Sequence, residues 1–438
     1  MKLAFVVQRY GLDIAGGAEY HCRIVAEHLA RHAQVEVLTS CAADYITWAN
    51  HYPEGVETLN GILVRRFRVK RPRDPERFAE WTERALRSAA RDETAPRGGA
   101  PHEQRAARGV WGVRRSTPQL DEDLRWLEEE GPFAPRLVKY IEAHRDAYDF
   151  FIFFSYRYYT TYHGLRAVRD KALLVPTAED DGIYRIGLFP PFFRLPRAIV
   201  YNSIEEREMI RRISGNDTVP GDVVGVGSLL PASLDPEGFR ARHGLTGRFV
   251  LYVGRIDDNK GCRQLFDFFR RYRAETGSAL RLALIGKPVL SIPQDASIVH
   301  LGFLADQEKW NALAACDLLV MPSRLESLSM VTLEAWWAGR PVLANAKCEV
   351  LRGQCRRSNA GLYYSSYPEF REALALLESE ATLRQRLGRN GRRYFDTHYT
   401  WDIVERKYLS LLETVRREDA ARAAQGDGAA AGSAGWQT

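Results

Sequence analysis

Two carboxylates, Glu326 and Glu334, stand with seven residues between them in PSRLESLSMVTLEAWWAGRPV, residues 322–342. Residues 316–321, just before, read as a short buried strand. Pro322 and Ser323 break it, and residues 332–339 have helix-forming composition closed by Gly339 and Pro341. A helix beginning near Leu328 or Ser329 points backbone N–H groups and a partial positive charge into the loop. That is an anion site. A helical path between the glutamates spans roughly 12 Å at about 1.5 Å per residue. Acceptors on both sides of a phosphate-binding helix end suit a ligand with hydroxyls on both sides of a phosphate, as in a nucleotide sugar. The plainer alternative is a pair of solvated surface glutamates.

A second candidate is Gly254-Arg255 at the end of a predicted strand (249–253), with Lys260 five residues on. In open parallel sheets such loops bind ligands, and a guanidinium fork beside a compact ammonium suits a diphosphate. A solvated turn is the alternative. The third is Gly16-Gly17, between a predicted strand (3–7) and a helical pattern (18–30). It marks either a close backbone approach at a helix N-terminus or a simple tight turn. It does not form G-x-G-x-x-G, and no acidic residue ends the next strand (35–38), which speaks against a nicotinamide site.

The elements that must position these residues alternate strand and helix in both halves. Strands are expected at 3–7, 35–38, 148–156, 172–175 and 198–201, then at 249–253, 282–285, 299–301 and 316–321. Asn202-Ser203 caps a helix at 204–212, and helices are expected from Cys262 and at 307–315. Right-handed crossovers then give parallel sheets. At 438 residues the chain exceeds the size of a single core. We expect an N-terminal domain over 1–213, with a variable insertion at about 72–130 that is helical at its ends and mobile in its middle. A C-terminal domain follows over 214–398, then a helix over 399–417 and a disordered tail over 418–438.

Apolar residues at 45% and charged residues at 27% describe a soluble globular protein. The net charge of +6, with Lys and Arg in both halves, does not argue for nucleic-acid binding. It permits weak peripheral contact with an anionic membrane. The six cysteines form no C-x-x-C pair and read as buried free thiols in a reducing compartment. The apolar run near Met1 is too short for a signal peptide, and none approaches the ~20 residues of a membrane span. A cytoplasmic protein, peripheral at most to the inner face of the membrane, is expected.

Taken together, the motifs resemble those of a retaining glycosyltransferase of family 4, built on the GT-B fold. VGRIDDNKG is similar to that family's V-G-R-x-x-x-x-K-G, and PSRLESLSMVTLEAWWAGRPV to its P-S-x-x-E-G-F-G-x-x-x-L-E-A-x-A-x-G-x-P-V. GGAEYHCRIVAEHLA resembles its opening G-G-x-E loop and helix. The resemblance implies two Rossmann-like, doubly wound parallel-sheet domains facing a cleft, with a final helix from Trp401 crossing back to the first domain. It implies that Gly254, Arg255 and Lys260 hold the diphosphate and that Arg255 and Lys260 neutralise charge on the leaving group. Glu334 would take the ribose hydroxyls and Glu326 the donor sugar. The N–H groups of Leu328, Ser329 and Met330 would contact sugar or phosphate, and Gly16 and Gly17 would let the first domain close on the diphosphate. No metal and no cofactor are expected, and no D-x-D ends a strand. The acceptor hydroxyl would attack from the face the nucleotide leaves, so no enzymic nucleophile is required.

The chain departs from the family pattern at two places. Ser327-Leu328-Ser329 replaces G-F-G, where side chains now project beside the donor sugar. Glu179, in VPTAEDD, stands where the family often has a histidine near the acceptor. A carboxylate there can orient a hydroxyl or take its proton. His163, in YRYYTTYHGL, is the other candidate on that side, and Tyr156, Tyr158, Tyr159 and Tyr162 suit either sugar stacking or core packing. The expected activity is transfer of a hexose from a nucleoside-diphosphate sugar to a glycan, lipid-linked or small-molecule acceptor. The alternatives are a non-catalytic subunit that binds a nucleotide sugar or a partner enzyme, and a nucleotide-sugar epimerase.

Overall fold

The computed structural model describes residues 1–14, 16–94 and 117–432. The middle of the predicted insertion and the last six residues lie outside that description. The chain forms two units. The first comprises Met1–Asn202, Glu206–Val224 and the chain from Glu405; the second comprises Ser203–Glu205 and Gly225–Val404.

The first unit is built on eight strands: β1 (Lys2–Val6), β2 (Gln34–Ser40), β3 (Gly55–Leu59), β4 (Ile62–Phe67), β5 (Phe150–Phe154), β6 (Ala172–Val175), β7 (Ala198–Tyr201) and β8 (Gly221–Val223). Their order is β3-β4-β2-β1-β5-β6-β7-β8. All neighbours run parallel except β3 and β4. Continuous apolar runs such as Phe150–Phe154 are buried on both faces, as central parallel strands must be. The β3–β4 hairpin turns at Asn60-Gly61, both at positive φ. This is the two-residue turn that Asn-Gly favours, and neither strand was expected from the sequence.

The helices Pro75–Thr94 and Thr117–Glu130 pack on one another and bury Trp126 and Leu127 in the core of this unit, among Phe151, Phe153 and Leu174. The ends of the insertion are therefore helical, as expected. The division between units falls after Val224 rather than at 213, because β8 pairs with β7.

The second unit carries β9 (Phe249–Val253), β10 (Arg281–Ile285), β11 (Ile298–His300), β12 (Leu318–Met321), β13 (Val342–Asn345) and β14 (Gly361–Tyr364). The order β11-β10-β9-β12-β13-β14 is parallel throughout. β13 and β14 were not expected either. Val250, Leu282, Leu284, Leu318, Val320 and Leu343 form its core with Phe266 and Phe269 of the helix Cys262–Thr276. The final helix corrects the expected tail. It runs from Trp401 to Gly432, and beyond residue 417 Glu418 and Asp419 pair with Arg197 at 3.2 and 2.7 Å. Among the described residues no helix is long and apolar enough to cross a membrane.

Among the parallel strands of each sheet the order reverses direction once, between β1 and β5 and between β9 and β12. The crevice beyond the carboxyl ends of strands at such a reversal is where open α/β sheets bind ligands.

Candidate active site

In the second unit that crevice holds the residues singled out by their chemistry. β9 ends at Gly254, whose φ of 152° carries the chain sharply out of the sheet. Arg255 follows and donates from Nε to Asp257, which is almost buried. The other carboxylate oxygen of Asp257 accepts the Lys260 N–H at 2.7 Å. One acidic residue therefore braces the turn that presents both cations. Gly261, at φ 75°, then caps the helix Cys262–Thr276. A Cβ there would lie 2.3 Å from the carbonyl oxygen of Pro322, so only glycine lets this turn sit against the loop after β12.

That close approach brings the two motifs together. Lys260 Nζ lies 2.9 Å from Glu326 Oε1 and 3.4 Å from the Leu325 carbonyl. The pair is partly open, with side-chain exposures of 28% and 12%. The loop is held from below by Asn345, which donates to the Pro322 carbonyl at 2.9 Å, and by Gln354, which donates to the Leu328 carbonyl at 2.8 Å.

The helix begins at Met330, not at Leu328 or Ser329. Ser329 is its cap residue and adopts φ 68°, a left-handed conformation uncommon for anything but glycine. Its hydroxyl hydrogen-bonds that of Thr332 at 2.9 Å and leaves the first-turn N–H groups unused by a side-chain cap. Of these, the Thr332 N–H donates to the Ser329 carbonyl at 3.1 Å, and the helix end directly follows the loop that carries Glu326. Glu334 sits one turn further on and is 4% exposed. Burial pushes its carboxyl up, and the Lys309 ammonium, 2.7 Å away on the helix Asp306–Ala315, opposes that shift.

The first-unit candidates are arranged differently. Gly17 opens the helix Gly17–Leu29 and Gly16 caps it with extended backbone, φ −118°. A Cβ on Gly16 would lie 1.9 Å from Glu19 Oε2 and 3.0 Å from Arg9 Nη2. Arg9 donates twice to Glu19, at 2.8 and 2.5 Å, and both side chains are buried. Gly16 thus makes room for an internal ion pair that the sequence did not announce.

At the ends of β5 and β6, Ser155 and Thr177 share a 2.7 Å hydroxyl–hydroxyl hydrogen bond, and both have positive φ, 64° and 49°. Glu179 follows, half-buried. Its loop is tied down by Glu206, which accepts the Ala178 N–H at 2.6 Å and the Asn202 N–H at 2.6 Å. Burial pushes the Glu206 carboxyl up to about 8. His163 packs against the rings of Tyr159 and Tyr162 on the helix Tyr159–Ala167, and burial takes its imidazole down to about 4. Tyr156 and Tyr162 are core residues that pack on Phe189, Phe193 and Phe192. Tyr158 stands edge-on to Trp48, and Tyr159 to Phe133. Beside them Arg157 bridges Glu130 and Asp181.

Residues 237–394 match the family described as glycosyl transferases group 1. Mannosylfructose-phosphate synthase of Agrobacterium fabrum is 26% identical over 192 residues, which is 40% of this chain but only 42% of that protein. D-inositol 3-phosphate glycosyltransferase of Nocardia farcinica is 28% identical over 363 residues, 76% of this chain and 70% of that protein. Among solved structures, Anabaena HepE in complex with UDP and glucose superposes with a TM-score of 0.63 at 16% identity, over 94% of this chain and 99% of that one. The fold is GT-B.

Within this GT-B chain, the family match covers the stretch that holds Arg255, Lys260, Glu326 and Glu334. The structure unites Lys260 with Glu326, while Arg255 pairs with Asp257 and Glu334 with Lys309. Asp257 and Lys309 were missed by sequence reasoning. Asp257 lies within the motif that was read, and its place between the two cations is the available signal. Lys309 lies 25 residues before its partner, and no local spacing relates the two. Arg9, Glu19, Arg157 and Glu206 were missed for the same reason. Among the described residues, no group of three or more His, Cys, Asp or Glu is placed to hold a metal ion.

Proposed function

We propose that this protein transfers a glycosyl group from a nucleoside-diphosphate sugar to an acceptor hydroxyl, with retention of anomeric configuration and without a metal or cofactor, as in family 4. The observation that carries the reading is the Lys260–Glu326 pair at the strand-order reversal of the second unit, with Arg255 and a helix N-terminus on the same crevice. A diphosphate there meets an ammonium, a guanidinium and backbone N–H groups, which stabilise it more as its charge grows on departure. In this reading Glu326, already paired with a cation, accepts from sugar hydroxyls, and Glu334 accepts from the ribose. Gly16 and Gly17 serve the diphosphate, and Glu179 orients or deprotonates the acceptor hydroxyl.

The acceptor is a glycan, a lipid-linked saccharide or a small molecule, and the site of action is the cytoplasm. A non-catalytic sugar-nucleotide-binding subunit is the second reading, favoured by Glu179 in place of histidine and by Ser329 in place of glycine. The test is thermal-shift and calorimetric screening against UDP-, GDP-, ADP- and dTDP-sugars, followed by product analysis with donor alone and with saccharide acceptors. Stabilisation by one nucleotide series is expected, growing with ligand concentration. No shift with any series would overturn both readings. Binding without turnover on any acceptor would favour the second.

A further inference from the structure

The net charge of +6 is less evenly spread than the sequence suggests. Two helices of the second unit, Glu349–Ser358 and Ala381–His398, hold eight arginines against two carboxylates, Glu349 and Asp396. That excess equals the net charge of the entire chain. Four of the eight are occupied: Arg352 pairs with Glu349, Arg357 with Glu205, Arg392 with Asp396, and Arg384 turns inward to Asp317 and two carbonyls. The other four, Arg356, Arg386, Arg389 and Arg393, are exposed and have no ion-pair partner among the described residues.

These four lie together. The inner face of Ala381–His398 is fixed by Leu387, Gly388, Gly391 and Phe395, with Gly388 against the Gly339 carbonyl and Gly391 against Trp336. Arg386, Arg389 and Arg393 therefore run along the outer face, over roughly 10 Å of helix axis. Asn390, within that stripe, donates to the carbonyl of Asn359, three residues beyond Arg356. The C-terminal end of Glu349–Ser358 therefore meets the middle of Ala381–His398, where Arg393 also donates to the Asn390 side chain at 3.1 Å, and the exposed arginines of the two helices lie on neighbouring outer faces.

We propose that this arginine face docks the protein on a bilayer of anionic phospholipid. Each guanidinium fork matches a phosphate, and clusters of four to eight basic residues are what an anionic leaflet attracts. Neither helix exposes a large hydrophobic side chain. A protein partner would need aromatic or aliphatic anchors at such a surface, and single-stranded nucleic acid would need aromatic stacking platforms. A layer of phosphates needs neither. Docking is then electrostatic and reversible, without insertion, and does not depend on the proposed catalytic reading.

The test is co-sedimentation of the full chain with vesicles of phosphatidylcholine alone or mixed with phosphatidylglycerol. Binding is expected only to the mixed vesicles, and should vanish in about 1 M salt, where the screening length is ~3 Å. Replacing all four, R356Q, R386Q, R389Q and R393Q, should weaken binding about fivefold per arginine, several-hundred-fold together, with an unchanged melting temperature. The control R270Q with R271Q, exposed arginines outside the face, should bind as the parent does. Equal binding to neutral vesicles, no binding to either, or full binding by the fourfold variant would overturn the proposal. So would capture of a DNA duplex through these arginines with no vesicle binding.

Discussion

Replacing Lys260 by alanine separates two roles that the structure assigns to one side chain. Its ammonium is 2.9 Å from Glu326, whose side chain is 12% exposed. Losing the cation leaves a largely enclosed carboxylate uncompensated, at a cost of about 1–3 kcal/mol. In a domain of this size each kcal/mol is worth about 2–4 °C, so a fall of about 2–12 °C is expected without ligand. The same substitution removes a charge-assisted hydrogen bond to the diphosphate, about 1.5–3 kcal/mol, or about 10- to 150-fold in affinity. Adding Glu326→Gln removes the orphaned charge, so most of the lost stability should return while nucleotide affinity stays low. Thermal denaturation and calorimetric titration with the best-binding nucleoside diphosphate read the two quantities separately. If affinity recovered together with stability, Lys260 would only be propping up the loop. If Lys260→Ala alone left affinity unchanged, the diphosphate site would be elsewhere.

Two further outcomes follow from other features. Gly261→Ala places a methyl 2.3 Å from the Pro322 carbonyl at φ 75°, so the turn under Lys260 must shift. Gly244→Ala, at φ 61° with nothing within 4 Å, bears only the backbone cost of roughly 1 kcal/mol. Gly261→Ala should lose both stability and nucleotide affinity, Gly244→Ala a little stability alone; equal effects in urea unfolding would refute the close-approach argument. Acid stability is the second. His163 is held down to about 4, below its unfolded value near 6.5, so the unfolded chain takes up the proton first as pH falls. Its contribution is present above about pH 6.5 and lost between there and about 4, up to about 3 kcal/mol. His163→Gln should flatten that part of the stability–pH curve, and an unchanged slope would show the imidazole is not buried neutral.

The chemistry of the second unit was legible because its motifs are local. Gly254, Arg255, Lys260, Glu326 and Glu334 each sit within a few residues of a strand end, where composition and spacing report them directly. What completes the site is not local. Lys309 reaches Glu334 from a separate helix, and Arg9 finds Glu19 across the glycine loop. Partnerships of this kind depend on strand order, which a periodicity does not contain. The strands that went unread have physical causes too. β13 and β14 are four residues each, and β13 follows directly on Pro341, which was read only as the end of a helix. β3 is largely exposed, so its alternation is faint, although Asn60-Gly61 marked the hairpin plainly. The end of the last helix was hidden because Glu418 and Asp419 lack apolar periodicity; Arg197 holds them instead.

The hydroxyl bond between Ser155 and Thr177 has a mechanical meaning. Each residue is wound left-handed, a state worth roughly 1–3 kcal/mol of strain when a side chain is present. Joined by one shared hydrogen, and by the Ser155 N–H bonded to the Val175 carbonyl at 2.9 Å, neither can unwind without tugging the other. The loops after β5 and β6 behave as a single cocked latch. Energies of substitutions at the two positions will therefore not add, and a force applied at one strand end is felt at the next.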